Sequence, residues 1–140
     1  MISVATIHNA EDFAGMRKAG QLAAETLDMI AEYVKPGVTT ESLDKRCFEF
    51  ADKNNACIAP LFYKGFPKSV CTSVNEVICH GIPDSRPLQE GDIVNIDVTV
   101  YHEGVHGDTS VTFPIGEVSE RDINLIKDKN SILGIYLAKV

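Results

Sequence analysis

The chain has 140 residues and a mass of 15.3 kDa, enough for one domain with a real core and too little for two. Apolar residues make up 44% and charged residues 24%, a balance that excludes low-hydrophobicity disorder for most of the chain. The net charge of −7 without a basic run speaks against nucleic acid as a partner, and no apolar run is long enough to span a membrane.

The opening residues, Met1 to His8, lack the basic start and long apolar stretch of a signal peptide. Cys47, Cys57, Cys71 and Cys79 form no CxxC pair. Reduced thiols in a cytoplasmic setting are therefore expected.

Residues Asn9 to Val34 read as one long helix. Phe13, Met16, Gly20, Ala23, Leu27, Ile30 and Val34 recur at alternating steps of three and four, which is one helical stripe. Asn9 is placed to cap it, Glu11 and Asp12 suit its positive end, and Pro36-Gly37 stop it. At ~1.5 Å per residue it would be roughly 36 Å long and cross a whole small domain. The small side chains of Gly20 and Ala23 predict close packing on a sheet. A second helix is expected from about Thr40 to Lys53, capped by Thr39 or Thr40. Leu43, Cys47, Phe50 and Ala51 would face the core, and Asn54-Asn55 would end the helix.

From Ile58 to Phe113 the pattern changes to short β segments broken by glycine and proline. After Pro114 and Gly116 a helical signal returns, at about residues 121–140. Leu133 and Val140 there echo Leu27 and Val34 of the first helix, a faint hint of a duplicated unit.

The most informative stretch is Asp92 to Phe113. Val94, Ile96, Val98 and Val100 alternate with Asn95, Asp97 and Thr99, so the apolar set must face a core. A turn at His102-Glu103-Gly104 sends the chain back. The return strand places Val105, Thr109, Val111 and Phe113 on one parity, and His106, Asp108, Ser110 and Thr112 on the other. Depending on the loop, Asp97 falls directly opposite Asp108 or diagonal to it. Aspartate is unfavourable inside strands, and like charges on one sheet face repel. A divalent cation removes both objections. The alternative is two solvated carboxylates held by Thr99 or Ser110.

His80 precedes the Gly81-Ile82-Pro83 turn and is placed either to enter a pocket or to serve structurally. His102 and His106 have H-x3-H spacing, but Gly104 between them makes a turn and argues against zinc. Tyr63, Phe66 and Cys71 bracket Gly65 and Pro67, as an aromatic-anchored loop or as the wall of an apolar pocket.

Three blocks carry a family resemblance: Tyr63 to Cys71, Ser73 to Pro83, and Gly91 to Thr99 continued through Gly107-Asp108-Thr109-Ser110. They resemble the type I methionine aminopeptidases, over about Asp12 to at least Gly116. The resemblance implies an α+β fold: half of a pita-bread (creatinase/aminopeptidase) fold, with helices packed on one face of a curved antiparallel sheet. It makes residues 1–140 the N-terminal half of such a domain, the last helix opening the second half. Asp97 and Asp108 match two ligands of a dinuclear metal centre that takes Mn, Fe, Co or Zn. His80 matches a catalytic histidine that contacts substrate near the scissile amide. Tyr63, Phe66 and Cys71 match the pocket for the N-terminal methionine of a peptide or nascent protein, and Phe66 stands where a tyrosine is common. The family's remaining ligands, one His and two Glu, come from a second half that this sequence does not contain. The isolated chain is thus expected to be inactive. The complementary half, or a second copy joined through exposed apolar surface, is the expected partner. The alternative is a truncated, non-catalytic module that binds peptide or protein.

Overall fold

A computed structural model describes residues 7–127. Helix α1 (Ala10–Ala31) and helix α2 (Thr40–Lys53) precede four strands: β1 (Cys57–Ile58), β2 (Cys71–Val74), β3 (Ile93–His102) and β4 (Val105–Pro114). β3 is central. One of its edges carries β4, and the other carries β2 and β1 one after the other along its length, all antiparallel.

Asn9 caps α1 in a capping box. Its side-chain oxygen accepts from the Glu11 and Asp12 amides at 2.7 and 3.1 Å, and its own amide donates to Asp12 at 2.9 Å. The helix closes at Ala31, short of Val34. The Tyr33 and Val34 amides bond three residues back, to Ile30 and Ala31, and Pro36 keeps Lys35 out of helical geometry.

The buried stripe of α1 also differs from the expected one. It runs through Ala19, Leu22, Ala23, Thr26, Leu27 and Ile30, while Phe13 is 48% exposed. Gly107 of β4 explains the phase. A Cβ there would lie 2.2 Å from the Ala19 backbone, so the helix rests on the strand with no side chain between them. Contact this close fixes the face through Ala19 and turns Phe13 outward. Thr26, fully buried, satisfies its hydroxyl by donating to the Leu22 carbonyl at 2.8 Å.

Thr39 caps α2 by accepting from the Ser42 amide at 3.2 Å, and Asn55 leaves the helix in the left-handed region at φ 54°. Leu43, Cys47 and Ala51 are buried and Phe50 packs against the same core from its margin. The buried Asp44 carboxylate accepts from the Ser69 and Val70 amides at 2.6 and 3.0 Å, which ties the approach to β2 onto α2.

Val94, Ile96, Val98 and Val100 have no solvent exposure and join both helices in one core with Leu88 and Ile115. His102 is part of β3, not of the turn. The turn is the two-residue Glu103-Gly104, with φ 49° and 92°, as a tight primed hairpin requires. His102 follows the parity of the valines and is buried, its Nδ1 making no hydrogen bond and lying 3.5 Å from the Glu103 carboxylate. Residues 120–127 are helical, with the Ser119 hydroxyl accepting from the Asp122 amide. The rest of the expected last helix, including the echo positions Leu133 and Val140, lies outside the described residues.

Candidate functional site

β3 and β4 pair without interruption. Asp97 stands opposite Ser110 and Thr99 opposite Asp108, so the two aspartates are diagonal neighbours on one face. Diagonal positions on such a pair lie roughly 7–8 Å apart, within joint reach of a shared ion. The two-residue turn chose the diagonal over the direct arrangement. Thr99 donates to the Asp108 carboxylate at 2.9 Å, and Asn95 donates to Thr112 at 3.1 Å on the same face.

Between β1 and β2 the chain leaves the sheet. β1 pairs with Val100 and Tyr101, and β2 with residues 94–97 of β3. The stretch between them swings out after the Ala59 amide donates to Thr99. This excursion carries Tyr63 and Phe66 and is sharply bent, with Phe62, Lys64 and Gly65 at φ 66°, 48° and 85°. It walls a cavity of about 900 Å³ whose floor is the odd-numbered face of β3 and whose lining includes Tyr63, Phe66, Cys71, His80, Asp97 and Asp108. All six residues singled out from the sequence therefore meet in one place.

His80 reaches the cavity through a constrained backbone. Its φ is 54°, in the left-handed region, which costs a non-glycine residue on the order of 1 kcal/mol or more. The next residue holds it there. The Thr72 amide donates to the Gly81 carbonyl at 2.8 Å, and the Gly81 amide donates to the Ser73 hydroxyl at 3.2 Å. A Cβ on Gly81 would lie 2.2 Å from the Thr72 carbonyl oxygen, so only glycine fits.

Cys71 is the direct β2 partner of Asp97. Burial, then the charges of Asp97, Cys79 and Asp108, push its thiol up to about 11. It is an apolar wall element and not a thiolate nucleophile. All four cysteines are free, Cys47 and Cys71 buried, Cys57 and Cys79 exposed. Tyr63 is 65% exposed and stands at the cavity mouth.

Thr99 and His106 also line the cavity, and His106 lies against Tyr101 with ring centres 5.0 Å apart. Both follow from strand parity once Asp97 and Asp108 are taken as the site. Ile82 and Lys64 line it too, and only their nearness in sequence to His80 and Tyr63 points to them.

The donor set here is oxygen: two carboxylates on adjacent strands with one hydroxyl between them. It suits a hard or borderline divalent ion. Among the described residues no group of three or more His, Cys, Asp or Glu gathers around one point.

Comparison with known proteins places this geometry. A match to metallopeptidase family M24 runs through residues 14–132. The methionine aminopeptidase of Rickettsia prowazekii is 57% identical over 121 residues, which cover 86% of this chain and 47% of that protein. Methionine aminopeptidase 1D, mitochondrial, of Dictyostelium discoideum is 48% identical over 96% of this chain and 33% of its own length. The crystal structure of the Thermotoga maritima methionine aminopeptidase superposes with a TM-score of 0.89 at 32% identity, over 92% of this chain and 52% of that one. The chain thus spans about half the length of the relatives it matches, or less. Its helices and antiparallel sheet are half of the pita-bread α+β fold. With the acidic hairpin, the cavity, α2 and most of α1 inside the matched stretch, the chain belongs to metallopeptidase family M24.

Proposed function

We propose that this chain contributes to a methionine aminopeptidase, which removes the N-terminal methionine from peptides and nascent proteins. The observation that carries this reading is the diagonal Asp97–Asp108 pair on the floor of a cavity with an aromatic wall beside it. Asp97 and Asp108 would hold divalent ions of Mn, Fe, Co or Zn. When bound, such ions supply a nucleophile from water at neutral pH and polarise a peptide carbonyl.

The chain's own residues do the rest of its share. Thr99 orients the Asp108 carboxylate through its hydrogen bond. Tyr63, Phe66 and Cys71 offer an apolar slot that suits an unbranched thioether side chain. Within the same cavity, His80 donates a hydrogen bond at the scissile amide. Negative charge on the floor attracts the free α-amine of the substrate. The free thiols fit a cytoplasmic setting.

Two carboxylates make an incomplete shell, so the isolated chain is expected to show little or no turnover. The test is hydrolysis of a Met-Gly peptide with added Mn²⁺ or Co²⁺, by the chain alone and mixed with the complementary half of a relative. Activity should appear only in the mixture, together with full metal stoichiometry. Robust, chelator-sensitive turnover by the pure chain would overturn the expected inactivity. The second reading is a module that binds peptide without cleaving it. A mixture that binds peptide but gains neither metal nor turnover would establish that reading.

A further inference from the structure

We propose that Lys64 receives a carboxylate side chain from the third or fourth residue of a peptide whose first residue fills the cavity. This deepens the function proposed above and rests on that reading. Among the residues that line the cavity, Lys64 is the only lysine or arginine. The nearby cations are committed elsewhere. The Lys68 ammonium donates to Glu41 at 2.7 Å, and Asp92 holds the Arg86 guanidinium. Among the described residues no carboxylate pairs with Lys64. Its ammonium lies 5.3 Å from the centre of the Tyr63 ring, at the cavity mouth.

The backbone under Lys64 is unfavourable for a lysine. Its φ and ψ are 48° and 31°, the left-handed region that glycine or asparagine fills at less cost. The bonds around it fix that conformation. The Phe62 amide donates to the Phe66 carbonyl at 2.8 Å, and the Phe66 amide donates to the Tyr63 carbonyl at 3.0 Å. Lys64 is exposed, and within the fold its charge meets only the face of an exposed ring. Strain held at a cavity mouth without a gain in packing points to a ligand.

The path of a bound peptide brings that ligand to Lys64. The carboxylates of the floor attract the α-amine, and the apolar wall takes the first side chain. The rest of the peptide must leave through the mouth. A cavity of about 900 Å³ is roughly 12 Å across, and an extended peptide covers ~3.3–3.6 Å per residue, so its third and fourth residues pass the mouth. An acidic side chain there meets repulsion from the floor and from a net charge of −7. Lys64 offsets that repulsion at short range. A contact between two such exposed charges changes affinity about three- to five-fold at low salt.

Titration of the full chain, followed by NMR in metal-free buffer, tests this. The probes are Met-Gly-Asp-Asp and Met-Gly-Asn-Asn, both amidated at the C-terminus. Lys64→Gln should weaken the aspartate peptide about three- to five-fold relative to the asparagine one, and added salt should shrink that difference. Lys64→Gly should have the same effect on binding while its urea midpoint holds or rises, because glycine relieves the left-handed backbone. A lower midpoint with unchanged selectivity would make Lys64 a structural residue and end the proposal. An equal loss for both peptides would also overturn it, as would no loss, or no binding of the aspartate peptide at millimolar concentration. So would a Lys64-dependent gain seen only when Met-Gly-Asn-Asn carries a free C-terminal carboxylate. Serine in place of the first methionine separates this proposal from the reading beneath it. If the serine peptide binds as tightly and still responds to Lys64→Gln, the carboxylate contact stands and the methionine reading falls.

Discussion

Gly107 shows how one missing side chain sets the position of a helix. The Ala19 carbonyl carbon and oxygen and the Gly20 nitrogen would all lie within 2.4 Å of a Cβ at this position. Gly107→Ala should therefore push α1 off β4 and cost about 1–3 kcal/mol, read as a lower urea midpoint with an unchanged slope. An undiminished midpoint would mean that the helix rides higher than described here. Nothing in the sequence around Gly107 announces this contact, because a glycine directly before an aspartate reads equally well as loop flexibility. The same ignorance put Phe13 on the buried stripe. Periodicity gives the existence of a face, but the phase of that face depends on which strand residue it meets. Asp97 and Asp108 were legible for the opposite reason: strand parity is a local property, and four alternating valines and isoleucines before the turn leave the aspartates only one side.

At the scale of elements, β3 was readable and the segments flanking β2 were not. Their order comes from long-range polar contacts that leave no periodic trace. Asp92 is the clearest case. It is 6% exposed and accepts from the two terminal guanidinium nitrogens of Arg86 at 2.8 and 3.2 Å, from Asn75 at 2.8 Å and from the Gln89 amide at 2.9 Å. Asn75 in turn accepts from the Ile93 amide, so one carboxylate joins the end of β2, the loop over residues 84–91 and the start of β3. The Arg86 guanidinium first, then Asn75 and the Gln89 amide, outweigh burial and hold the Asp92 carboxyl at about 2, below its ordinary 3.8. The unfolded chain thus takes up this proton at higher pH than the folded one. The latch contributes fully above pH 3.8 and is lost as pH falls toward 2, at most about 2 kcal/mol in all. In Asp92→Asn the steepness of stability against pH across that window should shrink. An unaltered pH profile would place the acid sensitivity elsewhere.

For the whole molecule, folding and function pull against each other on the cavity floor. Two aspartates on one sheet face lower the stability of the metal-free chain. Asp97→Asn with Asp108→Asn should therefore raise the thermal midpoint without metal, by the equivalent of about 0.5–1 kcal/mol, and abolish any rise on adding Mn²⁺. A double variant that is less stable and still responds to Mn²⁺ would remove both residues from the proposed centre. The fold was legible because the motif-bearing segments are short and lie inside the matched stretch. The gap between β1 and β2 has one more consequence. Residues 60–67 leave the sheet between the Ala59 amide, bonded to Thr99, and the Ser69 and Val70 amides, bonded to Asp44, while the β3–β4 ladder runs unbroken beside them. Their length and side chains can therefore drift without disturbing the carboxylates. On the proposed function, selectivity for the bound side chain would evolve separately from the chemistry at the carboxylates.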